Sequence, residues 1–353
     1  MSKIRLAVLF GGMSSEHEVS CVSASSVLKN LDRDKYEIYK VGMTKGGQWY
    51  LTDASEDEIA DRSWEEKDNT PAFISPDRGN SGIIALENGE FKRYEIDCIF
   101  PVVHGRNCED GVLQGLLDLS GIPYVGPGVA SSACSMDKSI TKLIISQTDV
   151  KQADFVLISA DEVRTELEKA CSKVEEHFEG VYPFFIKPAN EGSSVGISKV
   201  HDRAELEKGL QLAATYDERI LVEETIVGRE IETAVLGNSD PEVGRVGEVF
   251  AANEFYDYES KYNNIGSETK MVEDLPEEKI EEIKKAAVTV FNAMGCRCLS
   301  RVDFFLSEKN EVIFNELNTL PGFTSISMYP MMWDAAGLKY SDLLDKLVEL
   351  AME

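Results

Sequence analysis

The sequence predicts an α/β chain of three successive units: a parallel α/β unit, then two units with mixed or antiparallel sheets. Three observations carry this. Residues 4–10 are a nearly continuous apolar run halted by Gly11-Gly12, the pattern of a strand buried on both faces of a parallel sheet. Strand-like and helix-like stretches then alternate, with glycines at strand C-terminal ends, as in βαβ units. From Ala153 onward the strands take on an alternating, more antiparallel texture.

Taken in order, Ser14 or Ser15 can cap a first helix running to about Leu31, and Ser15 with Glu18 has capping-box spacing. A second strand falls at 36–43 and a third at 98–103, the latter ending in His104-Gly105. Between them Asp53, Glu56, Asp57, Glu58, Asp61, Glu65, Glu66 and Asp68 crowd one stretch, which reads as a solvated face or a mobile loop. Asp110 is placed to cap a short helix to Leu119, closed by Gly121; one helix follows the Gly126-Pro127-Gly128 turn, over 129–147. Strands at 155–158, 182–188 and 219–224 are separated by helices near 161–176 and 203–216. From Glu230 come four strands, an irregular loop at about 255–269 and a helix over 276–294; the last helix, 341–352, puts Leu343, Leu344, Leu347 and Leu350 on one face. The units are 1–127, 128–225 and 226–353.

Composition narrows the function. The chain has 353 residues, 43% hydrophobic and 28% charged, ordinary for a soluble protein with more than one domain. No apolar run approaches a membrane span, and the N-terminal run enters Gly11-Gly12 without a cleavage site, so a cytoplasmic protein is expected. Seven scattered cysteines without a CxxC pair suit free thiols, and the four histidines do not cluster with them as zinc sites require. A net charge of −27 disfavours nucleic acid. A nucleotide site on such a background must be locally positive, so specific lysines and bound Mg²⁺ should mark it.

Two motifs carry chemistry. In Phe185-Ile186-Lys187-Pro188-Ala189-Asn190-Glu191-Gly192-Ser193-Ser194-Val195-Gly196 a strand delivers a lysine and a small-residue loop follows, whose backbone N–H groups could approach phosphates. Alone, such a loop could equally be a hairpin turn. In Arg301-Val302-Asp303 and Glu316-Leu317-Asn318 the period of a strand puts Arg301 with Asp303, and Glu316 with Asn318, on one face each. Pairing the two strands gathers Asp303, Glu316 and Asn318 into an all-oxygen cluster beside one arginine, suited to Mg²⁺ carrying phosphates.

Lys138, Lys187, the Gly-Ser-Ser loop, Arg301-x-Asp303 and Glu316-x-Asn318 together resemble the ATP-grasp superfamily, and more narrowly the D-alanine–D-alanine ligases. The matching stretches run from Leu9-Phe10-Gly11-Gly12-Met13-Ser14-Ser15-Glu16-His17-Glu18 to Asn318-Thr319-Leu320-Pro321-Gly322-Phe323 and cover nearly the whole chain; the sequence is also similar to the D-alanine–D-serine ligases of vancomycin resistance. The resemblance implies ATP held between two mixed or antiparallel sheets, and an ATP- and Mg²⁺-dependent ligase making D-alanyl-D-alanine for peptidoglycan precursors, as a homodimer. It implies that Glu16 binds the amino group of the first D-alanine, held by Ser193 and Tyr262, with His104 close by. Lys138 and Lys187 would hold the phosphates and the adenine surroundings, and Ser194 and Lys261 would also bind ATP, Lys261 with Tyr262 from a mobile loop closing the site. Glu223, Glu224 and Ile226 would line the adenine and Glu230 the ribose. Asp303, Glu316 and Asn318 would bind two Mg²⁺ (Mn²⁺ being an alternative). Arg301 and the Gly322 N–H would stabilise the tetrahedral intermediate, and Ser327 and Met328 would face the second substrate.

Glu16 could instead be an acid favoured in a helix's first turn, and His104 a core histidine. His17 and Cys108 read as structural, and Lys142, on the helix of Lys138, as a surface residue. Three positions depart from the family pattern: Cys108 stands where glycine is usual, Ile326 where histidine is usual, and Met328 where the D-serine-forming relatives tend to carry arginine. Met328 suits the methyl of D-alanine. D-Serine as second substrate and a nucleotide-binding protein without turnover are the alternatives.

Overall fold

The computed structural model describes residues 2–192, 194–250 and 268–353, and among these the strands form three sheets. The first holds β1 (Ile4–Gly11), β2 (Tyr36–Met43), β3 (Trp49–Thr52), β4 (Thr70–Ile74), β5 (Ile83–Glu87), β6 (Glu90–Tyr94) and β7 (Cys98–Val103), in the order β6-β5-β4-β3-β2-β1-β7. β1 runs parallel to both β2 and β7. Leu6 to Phe10 have no exposed surface, which explains the continuous apolar run. The parallel strands were legible in the sequence; the antiparallel extension β3–β6 was not, because its strands are short and partly exposed.

Helix α1 (His17–Asn30) buries Cys21, Ala24, Val27 and Leu28 against this sheet. The Ser15 capping box does not form: Glu16 occupies the N-cap position, and Ser14 Oγ accepts the Glu16 N–H at 3.1 Å. The acidic stretch is an ordered solvated face. It includes α2 (Glu56–Ala60), capped by Ser55, and its acids pair with Lys29, Arg33 and Lys67, while Trp64 is wholly buried. The N-cap of helix α3 (Val112–Ser120) is one residue beyond the expected one, at Gly111, with Asp110 accepting the Val112 N–H. Gly121, at φ 70°, closes it as expected.

The single helix expected over 129–147 is two. α4 (Val129–Met136) stops at Asp137, whose extended backbone breaks the ladder and whose carboxylate accepts from Ser139 N and Ile140 N to start α5 (Lys138–Ile145). The break places Lys138 in the first turn of a new helix. The second sheet follows, antiparallel, in the order β10-β9-β11-β8, from β8 (Phe155–Ser159), β9 (Phe184–Pro188), β10 (Ser198–Val200) and β11 (Arg219–Glu224). Its outer face is covered by α6 (Ala160–Thr165), α7 (Leu167–His177) and α8 (Arg203–Ala213), whose Val163, Val174, Leu206 and Leu210 pack on Phe184, Ile186 and Ile220.

The third sheet contains β12 (Gly228–Gly237), β13 (Glu242–Val243), β14 (Gly247–Phe250), β15 (Glu268–Met271), β16 (Cys298–Ser307) and β17 (Val312–Asn318), along the path β15-β14-β12-β16-β17 with β13 beside β12. Helix α9 (Glu277–Ala293) packs Ile283, Ala287, Val290 and Phe291 on it. Helices α10 (Met328–Ala335) and α11 (Tyr340–Met352) join the third sheet to the first: Leu343, Leu344 and Leu347 of α11 are wholly buried in one cluster with Phe100 and Leu299. Most of the expected 255–269 loop lies outside the described residues, and 268–269 open β15. No described helix is long and apolar enough to cross a membrane.

Candidate functional site

The strand pairing expected from the two sequence motifs forms. Arg301 lies opposite Asn318 and Asp303 opposite Glu316, with a register shift just beyond, between Asp303 and Phe304. On the other side of β16 the row continues, Glu232 opposite Asp303. Arg301 grips Asp303 with two hydrogen bonds, Nε to Oδ1 at 2.8 Å and Nη2 to Oδ2 at 2.7 Å, and its Nε is 3.4 Å from Glu232. Burial disfavours the guanidinium charge, but Asp303 and Glu232 outweigh it and hold its pKa well above the ordinary value. Asn318 Nδ2 donates to Asp303 Oδ2 at 3.0 Å.

Asp303, Glu316 and Asn318 offer the oxygen donors that Mg²⁺ takes, two of them anionic. No trio of His, Cys, Asp or Glu converges as a metal site among the described residues; the third donor of this cluster is an amide.

Two cavities adjoin here. One, of about 340 Å³, opens between the second and third sheets and is lined by Lys187, Lys199, Glu223, Glu224, Ile226, Glu230 and Asp303. Phe185, Phe304, Phe305 and Phe314 give it apolar walls. The other, of about 330 Å³, lies between the third sheet and the first and is lined by Glu16, His104, Glu109, Asn318, Gly322, Ser327 and Met328. Lys138, Ser194, Glu232, Arg301 and Glu316 line both. The expected site residues that the structure describes therefore meet around one continuous cleft. Ser193, Lys261 and Tyr262, with the other tyrosines of that loop, lie outside the described residues.

Lys138 is anchored at both ends: its N–H donates to Ala189 O at 2.9 Å and its Nζ to Glu191 O at 2.8 Å, tying α5 to the Gly-Ser loop. Within that loop Ser194 adopts φ 62° and Gly196 φ 72°, and the Val195 and Ile197 N–H groups donate back to Gly192 O and Ser194 O, making two tight turns. Lys187 pairs with Glu223 at 2.6 Å. Burial works against its charge, but Glu223, Glu316 and Glu230 more than compensate and raise its pKa. The Glu224 carboxylate turns aside to accept the Asp154 N–H at 2.8 Å.

Lys142 corrects the sequence reading. Its side chain is 3% exposed and pairs with Glu223, because α5 turns that flank toward β11 instead of toward solvent. The signal was its spacing: Lys142 lies one turn beyond Lys138 and so on the same flank.

In the other cavity His104 is buried, with Nδ1 2.9 Å from Leu320 O and Nε2 3.3 Å from Ser23 Oγ. A proton on Nδ1 suits the carbonyl and leaves Nε2 to accept from the serine. Burial lowers its pKa, keeping it neutral. Glu16 is 8% exposed. Glu109, which the sequence reading passed over, accepts the Gly105 N–H at 2.8 Å, and burial, then Glu16, push its carboxyl up to about 8. Its place in a tight loop after His104-Gly105 was the available signal.

His17 and Cys108 are buried in the first unit: His17 bridges Gly12 O and Glu65 at 3.0 Å each. Cys108 needs no glycine backbone, since Asn107 takes the positive φ of 65°. Its thiol fills the space beside Gly12, where a Cβ would come within 2.6 Å of Sγ. Ser327 Oγ accepts the Thr324 N–H at 2.9 Å, and Met328 is 5% exposed against Gly247. Ile326 is 56% exposed.

Comparison with known proteins agrees with this geometry. The family models described as D-ala D-ala ligase N-terminus and C-terminus match residues 5–127 and 144–349. The D-alanine–D-alanine ligase of Acetivibrio thermocellus is 47% identical, over 99% of this chain and 96% of its own. That of Thermoanaerobacter pseudethanolicus is 48% identical over 100% and 98%. Among solved structures, the VanG D-Ala:D-Ser ligase from Enterococcus faecalis matches with a TM-score of 0.89 at 39% identity, covering 99% of this chain and 100% of that one. The D-alanine–D-alanine ligase from Coxiella burnetii matches with 0.85 at 36%, over 99% and 95%. The chain belongs to the D-alanine–D-alanine ligase family and has its ATP-grasp fold.

Proposed function

We propose that the chain is an ATP-dependent ligase that joins two D-alanines through a D-alanyl phosphate, in the cytoplasm and as a homodimer, with the unit boundaries near 127 and 225. The observation that carries this reading is the pair of adjoining cavities sharing Lys138, Arg301 and Glu316. One has the apolar walls and lysines that a nucleotide needs, the other the carboxylates that an ammonium group needs.

The first D-alanine, its ammonium on Glu16, presents its carboxylate to the γ-phosphoryl group at the junction. A carboxylate oxygen attacks phosphorus, the bond to ADP breaks, and an acyl phosphate forms. Lys138 and Lys187 oppose the phosphate charge. Asp303, Glu316 and Asn318 would hold Mg²⁺, which when bound neutralises charge on the phosphates. The amine of the second D-alanine then attacks the carbonyl carbon, the bond to phosphate breaks, and the amine's proton passes to the departing phosphate. Negative charge collects on the carbonyl oxygen in the tetrahedral intermediate. Arg301 and the Gly322 N–H would face it, a donor of this kind being worth about 3 kcal/mol.

D-Serine as second substrate is supported by the likeness to the VanG D-Ala:D-Ser ligase. The buried Met328 favours D-alanine, and a hydroxyl is rejected from an apolar pocket only weakly. The test supplies ATP, Mg²⁺ and an equimolar D-alanine and D-serine mixture and reads ADP and products by mass spectrometry. D-Alanyl-D-alanine as main product is expected; D-alanine-independent ADP release, or none, overturns the ligase reading.

A further inference from the structure

Glu223 is a buried carboxylate shared by two lysines from different elements. Lys142 of α5 pairs with Oε1, and Lys187 of β9 pairs with Oε2 at 2.6 Å. The Lys142 and Glu223 side chains are 3% and 5% exposed, and Lys187 is 17% exposed. With Lys138 and Glu316 all three line a small gap beneath the two cavities. Lys187 and Glu223 also line the nucleotide cavity, Lys187 from a partly open position, and Lys142 does not. Gln152 Nε2 donates to Lys142 O at 3.0 Å, fixing the helix turn that carries the buried lysine.

Charge explains the arrangement. Glu223 and Lys187 alone would be a neutral pair, with both carboxylate oxygens open to one ammonium. Such a pair offers phosphates nothing. The second lysine occupies one oxygen; burial lowers its pKa and Glu223 opposes that shift, and in its protonated form it leaves the three-residue cluster with net charge +1. In a chain of net charge −27, with Glu224, Glu230, Glu232, Asp303 and Glu316 lining the same cavity, that one added positive charge bears directly on a polyanion. We infer that Lys142 is a positioning residue for the nucleotide's phosphates: it neutralises Glu223 from behind, so that Lys187 can lean from Glu223 toward the phosphates. The inference deepens the nucleotide reading and rests on it.

The experiment measures ADP and adenosine affinities by calorimetry for the wild type, Lys142→Met, Lys142→Gln and Lys142→Met/Glu223→Gln. The wild type binds ADP more tightly than adenosine; equal affinity overturns the nucleotide reading and this inference with it. Lys142→Met loses roughly ten- to hundredfold in ADP affinity, because one buried unit charge near the phosphates is gone, while adenosine affinity holds within about twofold. Lys142→Gln keeps a hydrogen bond to Glu223 without the charge and shows the same loss. The double variant returns the cluster to +1 and, since Glu223 also lines the adenine side, recovers most of the wild-type ratio of ADP to adenosine affinity. A structural role predicts otherwise: ADP and adenosine would weaken together, Gln would rescue, and the second substitution would not. Either that pattern or unchanged ADP affinity in folded Lys142→Gln overturns the inference. Thermal melts of each variant show which are folded, and Lys142→Gln decides if Lys142→Met is not.

Discussion

Glu223 and Glu109 are the same side chain in the walls of one cleft, Glu223 buried and Glu109 half-buried, yet their surroundings drive them in opposite directions. Burial pushes both upward. At Glu223, Lys187 and Lys142 overcome that push and hold the carboxyl down to about 2. At Glu109 the nearby Glu16 adds to it, the Gly105 and Leu320 backbone and Arg301 oppose it, and the carboxyl rises to about 8. At Glu109 burial sets the sign and Glu16 reinforces it; at Glu223 two lysines reverse it. The nucleotide end of the cleft gathers Lys138, Lys187, Lys199 and Arg301 to meet phosphate, among the carboxylates proposed to hold Mg²⁺. The amino-acid end sets only Lys138 and Arg301 against Glu16, Glu109, Glu191, Glu232 and Glu316, a lining suited to an ammonium.

The strongest way to break this division is at the residue both ends share. Glu316 lines both cavities and raises the pKa of Lys187 and of Arg301. Glu316→Ala removes a proposed cation ligand and a charge common to both ends. We expect D-alanine-dependent ADP release to fall by about a thousandfold or more, with a circular dichroism spectrum like that of wild type. Retention of a tenth of the activity would separate the two ends and sink the shared-junction reading.

The two carboxyl groups also leave different marks on stability. Glu109 keeps its proton in the folded chain up to about 8, whereas an ordinary glutamate gives it up near 4.5. Through that window the unfolded chain binds fewer protons, so stability falls as pH rises. Glu223 has the opposite sign: its contribution is present above about 4.5 and is lost as pH falls toward 2, so the windows do not overlap. Glu109→Gln keeps an acceptor for the Gly105 N–H and removes the titration. Urea unfolding at about pH 5 and about pH 8 should show wild type losing on the order of 2 kcal/mol relative to this variant. Parallel pH profiles for the two proteins would mean that Glu109 is already ionised at neutral pH.

How much of this was legible in the sequence depended on whether the signal was local. The apolar run of β1 and the period-two placement of Arg301, Asp303, Glu316 and Asn318 are local, and the structure pairs them in the expected register. The break at Asp137 was missed because Asp is tolerated inside a helix, and its capping bonds to Ser139 and Ile140 appear only once the backbone turns. β3–β6 were missed because short half-exposed strands have little pattern. Lys142 and Glu109 were missed for a different reason. A lysine on an amphipathic helix and an acid in a polar loop ordinarily face water, and only the packing of α5 on β11, or of Glu109 near Glu16, reveals otherwise.

The smallest expected effect lies at the rim of the amino-acid end, where the chain departs from its family. Ile326 lines the cavity that holds Ser327 and Met328 but is 56% exposed. Met328 is held in place by Gly247, where even an added Cβ would lie 2.0 Å from its Cε. Selection between a methyl and a hydroxymethyl group should therefore rest mainly on the buried Met328. Ile326→His restores the family's usual residue at a solvated position. A hydrogen bond made there competes with water and is worth about 0.5–1 kcal/mol. The ratio of D-alanyl-D-alanine to D-alanyl-D-serine from an equimolar mixture should move by no more than about fivefold. A shift beyond about tenfold would transfer second-substrate choice from the buried methionine to the rim.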